Sequence, residues 1–306
     1  MRKVITRYPQ CLLAACMLPW TAANELDVEV FRSHIRETME AGYLDLYLMG
    51  TAGEGYALTD RQFAEVVGVF AEEAIRPGYR PQVGVISLSM SQAVERIGLA
   101  RERGFRMFQI SLPCWGALSD AEVDAFFKGV CGTYPDCQFL HYNLPRAKRI
   151  LDGATYRRVA DAHTNLVATK NSTSDYARVA DLMRNVPDLQ HFFLENGFVF
   201  GCIWGECSFL SSFAELFPKL TRQLFDAGRT GQWELACRLH KEINELEGIL
   251  FGHVEGEHID GTFDKTLCWL KNPRFSNRLL PPYIGLSEAE SREVRERFKK
   301  HCGHLA

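Results

Sequence analysis

The feature that most limits what this chain can fold into is a regular alternation of short apolar runs with segments of helical periodicity. The runs have the length of buried strands, and the segments between them have the length of amphipathic helices. Such alternation favours parallel strands joined by right-handed crossovers. The predicted strands are Cys11–Leu18, Leu44–Met49, Gln82–Leu88, Met107–Leu112, Gln138–Tyr142, Leu166–Lys170, Gln190–Leu194 and Cys207–Ser211.

Eight strands of this kind indicate a closed (β/α)8 TIM barrel. An open doubly wound sheet fits less well, because no GxGxxG motif follows the first strand. Beyond Phe213 only helical patterns follow. We therefore predict a barrel core over residues 1–213, and a last barrel helix with a C-terminal helical extension over residues 214–306. The helices predicted in this second part are Phe217–Ala227, Trp233–Phe251, Gly261–Leu270 and Ser287–His301.

The first apolar run has a second interpretation, as part of a secretory signal. Met1-Arg2-Lys3 is basic, Cys11–Leu18 is apolar, and Thr21-Ala22-Ala23 resembles a cleavage site. Removal of this segment would leave seven strands, and an eight-stranded barrel could not close. The strand count therefore favours a first barrel strand over a signal.

Composition and charge argue against several classes of function. The 306-residue chain has a formal net charge of −3, which gives no electrostatic basis for binding nucleic acid. No apolar run approaches the roughly 18 residues of a membrane span. The ten cysteines lack metal-site spacing and indicate the reducing cytoplasm. His253–Asp260 holds metal-capable side chains without an HExxH spacing, so we expect neither a metal nor another cofactor.

The segment NLVATKNSTSD, Asn165–Asp175, places Lys170 at the end of a buried strand. In a (β/α)8 barrel the chemistry lies at the C-terminal ends of the strands. Burial there would lower the pKa of a lysine, and the free amine could then form a Schiff base with a carbonyl compound. A salt bridge at the barrel rim is an equally good interpretation of this lysine from its position alone.

Two further strand ends carry candidate site residues. The segment GTAGEGYAL after the second strand has small residues that let the amides of Thr51 and Ala52, with Gly53, turn toward a carboxylate. A tight turn that requires glycine is the alternative. Tyr142 in HYNLP could donate and accept protons near an imine, or simply pack. Because these ends belong to strands 2, 5 and 6 of one barrel, they would converge on one mouth.

In this order and spacing, GTAGEGYALTDRQF, YNLP and NLVATKNSTSD resemble the dihydrodipicolinate synthase/N-acetylneuraminate lyase family. The opening LLAACMLPWTAANELDVEVF and the closing RLLPPYIGLSEAE are similar to the two ends of that family, so the resemblance covers nearly the whole chain. It implies a class I aldolase that acts on pyruvate or a related 2-oxo acid together with an aldehyde. It also implies a homo-oligomer, a dimer or a tetramer.

The resemblance implies a role for each matching residue. Lys170 matches the Schiff-base lysine, and Tyr142 matches the tyrosine that shuttles protons. Thr51 and Ala52 match the pair that holds the substrate carboxylate, and Thr51 also matches a proton relay to the tyrosine. Ser172 belongs to NSTSDY, which is more similar to the sialic acid lyase pattern.

Departures from the synthase pattern argue against lysine biosynthesis. Ala52 stands where the family often has a second hydroxyl residue. LPCWG has Cys114 and Trp115 where the synthases carry a tyrosine pair. Ala147 stands where those enzymes place a substrate-binding arginine, so that arginine is displaced to Arg146 or lost.

The remaining candidates concern the second substrate. Glu195 and Asn196 at the seventh strand end could face a polyhydroxylated or aromatic compound, or lie in a solvated loop. Trp115, Phe198, Phe200 and Trp204 could widen an apolar mouth, although core packing is the better interpretation for most of them. A 2-oxo-3-deoxy acid dehydratase would use the same imine, and a barrel that binds a 2-oxo acid without turnover is the non-enzymatic alternative.

Overall fold

The computed structural model describes residues 7–303 and shows a barrel of strands surrounded by helices. The strands are Leu12–Cys16 (β1), Asp45–Leu48 (β2), Arg80–Gly84 (β3), Met107–Ile110 (β4), Gln138–Asn143 (β5), Leu166–Asn171 (β6), Gln190–Phe193 (β7) and Ser208–Leu210 (β8). The helices are Val28–Glu40 (α1), Asp60–Ala74 (α2), Met90–Glu102 (α3), Asp120–Cys131 (α4), Gly153–Ala162 (α5), Tyr176–Asn185 (α6), Glu195–Trp204 (α7), Pro218–Arg229 (α8), Trp233–Phe251 (α9), Gly261–Lys271 (α10) and Glu288–Arg297 (α11).

The predicted (β/α)8 barrel is confirmed. Each pair of neighbouring strands is parallel, and β1 pairs with both β2 and β8, which closes the sheet on itself. Leu12 lies opposite Phe209 in this closing ladder. The N-terminal apolar run is therefore a barrel strand, as the strand count predicted, while the basic residues Met1–Lys3 lie outside the described residues.

Strand β3 differs most from its predicted bounds, because it ends at Gly84 rather than at Leu88. Val85 still donates its N–H to the Gln109 carbonyl. The chain then leaves the sheet to start α3, whose N-cap Ser89 accepts a hydrogen bond from the Gln92 N–H. The apolar residues after Val85 therefore belong to the strand-to-helix connection, and Leu88 is exposed.

Local capping signals explain where several helices begin and end. The Asp27 side chain caps α1, and Thr59 and Ser287 form capping boxes at α2 and α11. Gly42 follows α1 with a φ of 87°, a left-handed conformation that glycine adopts without steric cost. These boundaries are therefore determined by residues close in the sequence.

Apolar side chains form one large core between the strands and the helices, and a smaller core inside the barrel. The smaller core includes Leu13, Tyr47, Leu140 and Phe192. It fills the barrel below the C-terminal ends of the strands, so the open space lies at those ends.

The C-terminal helices do not form a separate site, because α10 packs over the barrel mouth. A Cβ atom at Gly261 would lie 3.0 Å from the Ala52 carbonyl oxygen, so only glycine permits this close approach. Phe213, the predicted boundary, lies between β8 and α8, and the two-part division stays a prediction. Within residues 7–303 no helix combines the length and hydropathy of a membrane span.

Candidate active site

Lys170 and Tyr142 are cross-strand neighbours at the C-terminal ends of β6 and β5. The Lys170 Nζ lies 3.9 Å from the centroid of the Tyr142 ring and 5.3 Å from that of Tyr47. Only 7% of Lys170 and 2% of Tyr142 is exposed. The strand pairing therefore brings the amine and the phenol together inside the barrel mouth.

The loop after β2 adds Thr51 to this pair. The Thr51 hydroxyl donates to the Tyr142 hydroxyl at 3.5 Å, and the Ser172 hydroxyl does so at 3.4 Å. Within residues 7–303, the backbone N–H groups of Thr51 and Ala52 have no hydrogen-bond acceptor in the protein. Two free amides beside a lysine can hold an anionic group such as a carboxylate.

Glycine is required at the start of this loop by a neighbouring side chain. A Cβ atom at Gly50 would lie 2.1 Å from the Tyr47 hydroxyl oxygen. Tyr47 is itself fixed by a hydrogen bond to the Gln109 side-chain oxygen. The loop can therefore pack close to Tyr47 in the barrel interior only because residue 50 has no side chain.

The buried carboxylate of Glu54 fixes the loop after β2 through hydrogen bonds to other segments. Glu54, with a φ of 55°, accepts hydrogen bonds from Trp20 Nε1 at 2.8 Å, Lys265 Nζ at 2.7 Å and the Leu280 N–H at 2.6 Å. Both Glu54 and Lys265 are fully buried. Burial lowers the pKa of Lys265, although Glu54 acts in the opposite direction. This cluster joins the β1 turn, the β2 loop, α10 and the C-terminal segment.

We expect Lys265→Met to lower the free energy of unfolding by about 3–5 kcal/mol, because it leaves the buried Glu54 carboxylate without its ion partner. Urea denaturation followed by circular dichroism measures this change. The double variant Glu54→Gln with Lys265→Met should recover part of the loss. A single-variant loss below about 1 kcal/mol would show that this ion pair does not hold the loop.

A cavity of about 110 Å³ opens between these groups. Since a water molecule occupies about 30 Å³ in the liquid, this space suits a ligand of a few heavy atoms. Its lining includes the predicted residues Lys170, Tyr142, Thr51, Ala52 and Gly53. Among the lining residues that were not predicted from the sequence, five have polar side chains: Tyr47, Ser211, Ser212, Asp260 and Asp264.

The electrostatics of the cavity favour proton transfer at Tyr142. Burial opposes ionisation of the phenol, but the Lys170 ammonium and the hydrogen bonds from Ser172 and Thr51 outweigh it and lower the pKa of Tyr142. A lower pKa makes the phenol a better proton donor and makes its phenolate more accessible as an acceptor.

Several predicted site residues lie outside the lining of this cavity. Trp115 is 83% exposed, and the exposed Asn196 bonds to His240 on α9. Glu195 is buried, and its carboxylate accepts hydrogen bonds from the Ser211 hydroxyl and the Ser212 N–H, both at 2.8 Å. In a single chain, Trp115 and Asn196 thus have no geometric support as substrate ligands, whereas Glu195 positions two lining residues.

The other aromatic candidates pack, as the sequence favoured. Phe198 stacks on Phe209 with ring centroids 4.7 Å apart, while Phe200 and Trp204 contact Tyr176 on α6. They do not widen the mouth. The described part of the chain also holds no group of three or more metal-capable side chains in metal-binding geometry.

Comparison with known proteins places the whole chain in one family. The sequence profile of the Dihydrodipicolinate synthetase family matches residues 9–301. A 4-hydroxy-tetrahydrodipicolinate synthase of Exiguobacterium sibiricum is 24% identical over 94% of this chain and 97% of that protein. A Coccidioides immitis protein, provisionally named as a mitochondrial 4-hydroxy-2-oxoglutarate aldolase, is 23% identical over 89% of each chain.

Solved structures agree with this chain in fold. The Escherichia coli K12 prophage protein YagE, solved in complex with pyruvate, has a TM-score of 0.86 at 17% identity and covers 97% of this chain and 99% of its own. CdNal from Clostridium difficile, solved in complex with mannosamine, has a TM-score of 0.84 at 14% identity, covering 95% and 98%. At such identities the likeness shows the fold alone, whereas the profile match covers nearly the full length: the chain belongs to the dihydrodipicolinate synthetase family.

Proposed function

We propose that this enzyme is a class I aldolase that forms or cleaves a C–C bond beside a pyruvoyl unit, with Lys170 as its nucleophile. The contrast between two buried lysines carries the proposal. Lys265 is paired with Glu54 and does not line the cavity that contains Lys170. Lys170 lines a cavity and, within residues 7–303, makes no ion pair. A buried amine of this kind is free to attack a carbonyl group.

The reaction follows from the chemistry of an imine. The Lys170 amine attacks C2 of the 2-oxo acid, the C2–O bond breaks, and water leaves as the C=N bond forms. The Tyr142 phenolate, which has given its proton to the departing hydroxyl, takes a proton from C3, and the C–H electron pair moves toward the iminium nitrogen to give an enamine. C3 then attacks the aldehyde carbon, the aldehyde oxygen takes up a proton, and water releases the product and the amine.

Tyr142 and Thr51 supply the proton transfers in this proposal. The Tyr142 ring lies against the amine, and its hydroxyl receives hydrogen bonds from Thr51 and Ser172. It can pass a proton to the departing hydroxyl at C2 and later to the aldehyde oxygen. Thr51 relays protons to it, and the free amides of Thr51 and Ala52 hold the carboxylate.

We infer a reaction other than dihydrodipicolinate synthesis. Arg146, which follows Pro145, is held by both oxygens of Asp260, at 2.8 and 3.2 Å, rather than left free for a substrate. Ala52 provides an amide but no hydroxyl. The relatives named as synthases are similar to this chain over nearly its whole length, but these side chains do not favour their reaction here. A 4-hydroxy-2-oxo acid aldolase fits these side chains better.

A turnover assay tests this proposal. The protein is incubated with a panel of 4-hydroxy-2-oxo acids, and pyruvate release is followed through coupled oxidation of NADH. We expect release of pyruvate and an aldehyde in equal amounts. If pyruvate raises the melting temperature but no acid is cleaved, the barrel binds 2-oxo acids without turnover. Loss of water without pyruvate release would instead identify a dehydratase.

Location and assembly also stay predictions. None of the ten cysteines is in a disulfide, which is consistent with the cytoplasm. Leu88, Trp115, Tyr283 and Ile284 are exposed apolar residues, and Ile284 is 81% exposed. Exposed apolar side chains of this size favour contact with a second copy of the chain, so we expect a dimer or tetramer in sedimentation velocity experiments.

A further inference from the structure

A second cavity opens directly beside the one that contains Lys170. It has a volume of about 570 Å³ and lies between α9, α10 and the segment after β8. Three residues line both cavities, namely Ser212, Asp260 and Asp264. The smaller cavity has room for little beyond a pyruvoyl unit. The rest of a larger substrate can therefore extend past these three residues into the second cavity.

Asp264 is the unusual group at this junction. The proposed mechanism does not use it, and it places a carboxyl group where the two cavities meet. It is partly buried and, within residues 7–303, makes no ion pair. Burial, together with nearby Asp260 and Glu195, raises the pKa of Asp264 to about 8, although Lys170 opposes this shift. Below that pH the side chain is a neutral acid that can donate a hydrogen bond.

The second cavity also limits the charge of what it can hold. Its polar lining consists of Ser212, Asn244, Glu247, Asp260 and Asp264, so none of its lining residues is basic. Phe251, Phe263 and Leu267 supply an apolar wall. An acceptor that carries a carboxylate or a phosphate would lie against carboxyl groups with no cation to pair with. A neutral chain with hydroxyl groups matches this lining.

We propose that Asp264 is a specificity-determining residue that hydrogen-bonds a hydroxyl group of the acceptor aldehyde, whose carbon chain occupies the second cavity. This inference rests on the proposed aldolase function. The substrate class it names is a neutral hydroxyaldehyde, and by reversal the 4-hydroxy-2-oxo acid made from it. A site that hydrogen-bonds a substrate hydroxyl discriminates strongly against the analogue that lacks it.

The test compares glyceraldehyde with propionaldehyde as acceptors for pyruvate, because the two differ only in hydroxyl groups. Glyoxylate serves as the anionic probe. Asp264→Leu removes the hydrogen bond, Asp264→Asn keeps a donor of the same shape, and Glu245→Gln removes an exposed α9 carboxylate that lines neither cavity. Borohydride trapping of pyruvate on each variant reports imine formation separately from acceptor use.

We expect the wild-type protein to prefer glyceraldehyde to both other acceptors. Asp264→Leu should lower kcat/KM for glyceraldehyde about tenfold or more, mainly through KM, because a hydroxyl group is left without its partner. The propionaldehyde reaction and pyruvate trapping should be unchanged. Asp264→Asn should restore most of the glyceraldehyde preference, and Glu245→Gln should behave like the wild type.

Four results would overturn the assignment. The wild-type protein could trap pyruvate yet not turn over glyceraldehyde, or Asp264→Leu could trap pyruvate yet lose activity equally with both aldehydes. Either result would contradict the role of Asp264 in acceptor binding without contradicting imine formation. A wild-type preference for glyoxylate would place the acceptor elsewhere. Absence of trapping in the wild-type protein would refute the aldolase function and this inference with it.

Discussion

Lys170→Arg is expected to reduce turnover by at least about 10⁴-fold, because loss of a covalent nucleophile removes the whole imine pathway. Arginine keeps the positive charge and much of the length of lysine, but its guanidinium group stays protonated and cannot attack a carbonyl. The variant therefore separates a nucleophilic role from an electrostatic one. Steady-state assay of pyruvate release from the best substrate measures the change.

Lys241→Arg provides the matched control for this substitution. Lys241 is an exposed α9 residue that pairs with Glu245 at 3.6 Å, and it should tolerate arginine without loss of activity. Circular dichroism of both variants checks that the barrel remains folded. Retention of more than about one hundredth of the wild-type rate by Lys170→Arg would mean that its charge, not its nitrogen lone pair, matters.

Tyr142→Phe is expected to lower kcat by about 10²- to 10⁴-fold, the usual contribution of a positioned acid–base group. The ring that lies against the Lys170 Nζ is kept, so the packing around the amine is preserved. Only the hydroxyl that receives hydrogen bonds from Thr51 and Ser172 is lost. The loss should appear in kcat more than in KM, because the hydroxyl acts on protons that move during the reaction.

The pH profile gives this prediction a second readout. The neighbouring Lys170 charge lowers the pKa of Tyr142, so the wild-type rate should contain an ionisation below the ordinary tyrosine range that is absent in Tyr142→Phe. Tyr176→Phe, at an exposed position on α6, is the control. An unchanged kcat with an unchanged pH profile would remove Tyr142 from the mechanism.

The barrel was predictable because its signals are local and periodic. Each strand is a short apolar run, and several helices carry their own caps, so the element order can be read without tertiary information. The count of eight strands decided that the N-terminal apolar run is a strand and not a signal. The ladder between β1 and β8 requires this strand to close the barrel. The end of β3 was mispredicted because Ile86 and Leu88 are apolar residues of a connection, and periodicity does not distinguish them from strand residues.

The residues at the strand ends were predicted for the same reason. Lys170, Tyr142 and Thr51 stand where apolar runs stop, and closure of the barrel brings them to one mouth. The Ser211-Ser212 pair follows β8 in the same way and could have been found by the same reasoning. It was not predicted, because serines at a strand end are equally typical of an ordinary turn.

Residues that reach the site from the C-terminal extension could not be predicted. Asp264 lies on α10 among helical residues, and nothing in the sequence around it indicates that α10 folds over the mouth. Glu54 lies within GTAGEGYAL, but its three buried donors come from segments far apart in the chain. Trp115 stays a prediction from residue type, and its side chain is exposed in a single chain.

The decisive measurement is peptide mass mapping after borohydride reduction of the protein in the presence of pyruvate. Imine formation at Lys170 predicts a carboxyethyl group, attached through its nitrogen, on the peptide that contains Lys170, and no such group when pyruvate is omitted. The buried but paired Lys265 should stay unmodified in the same digest. An unmodified Lys170, or modification spread equally over exposed lysines, would contradict the assignment of Lys170 as the nucleophile.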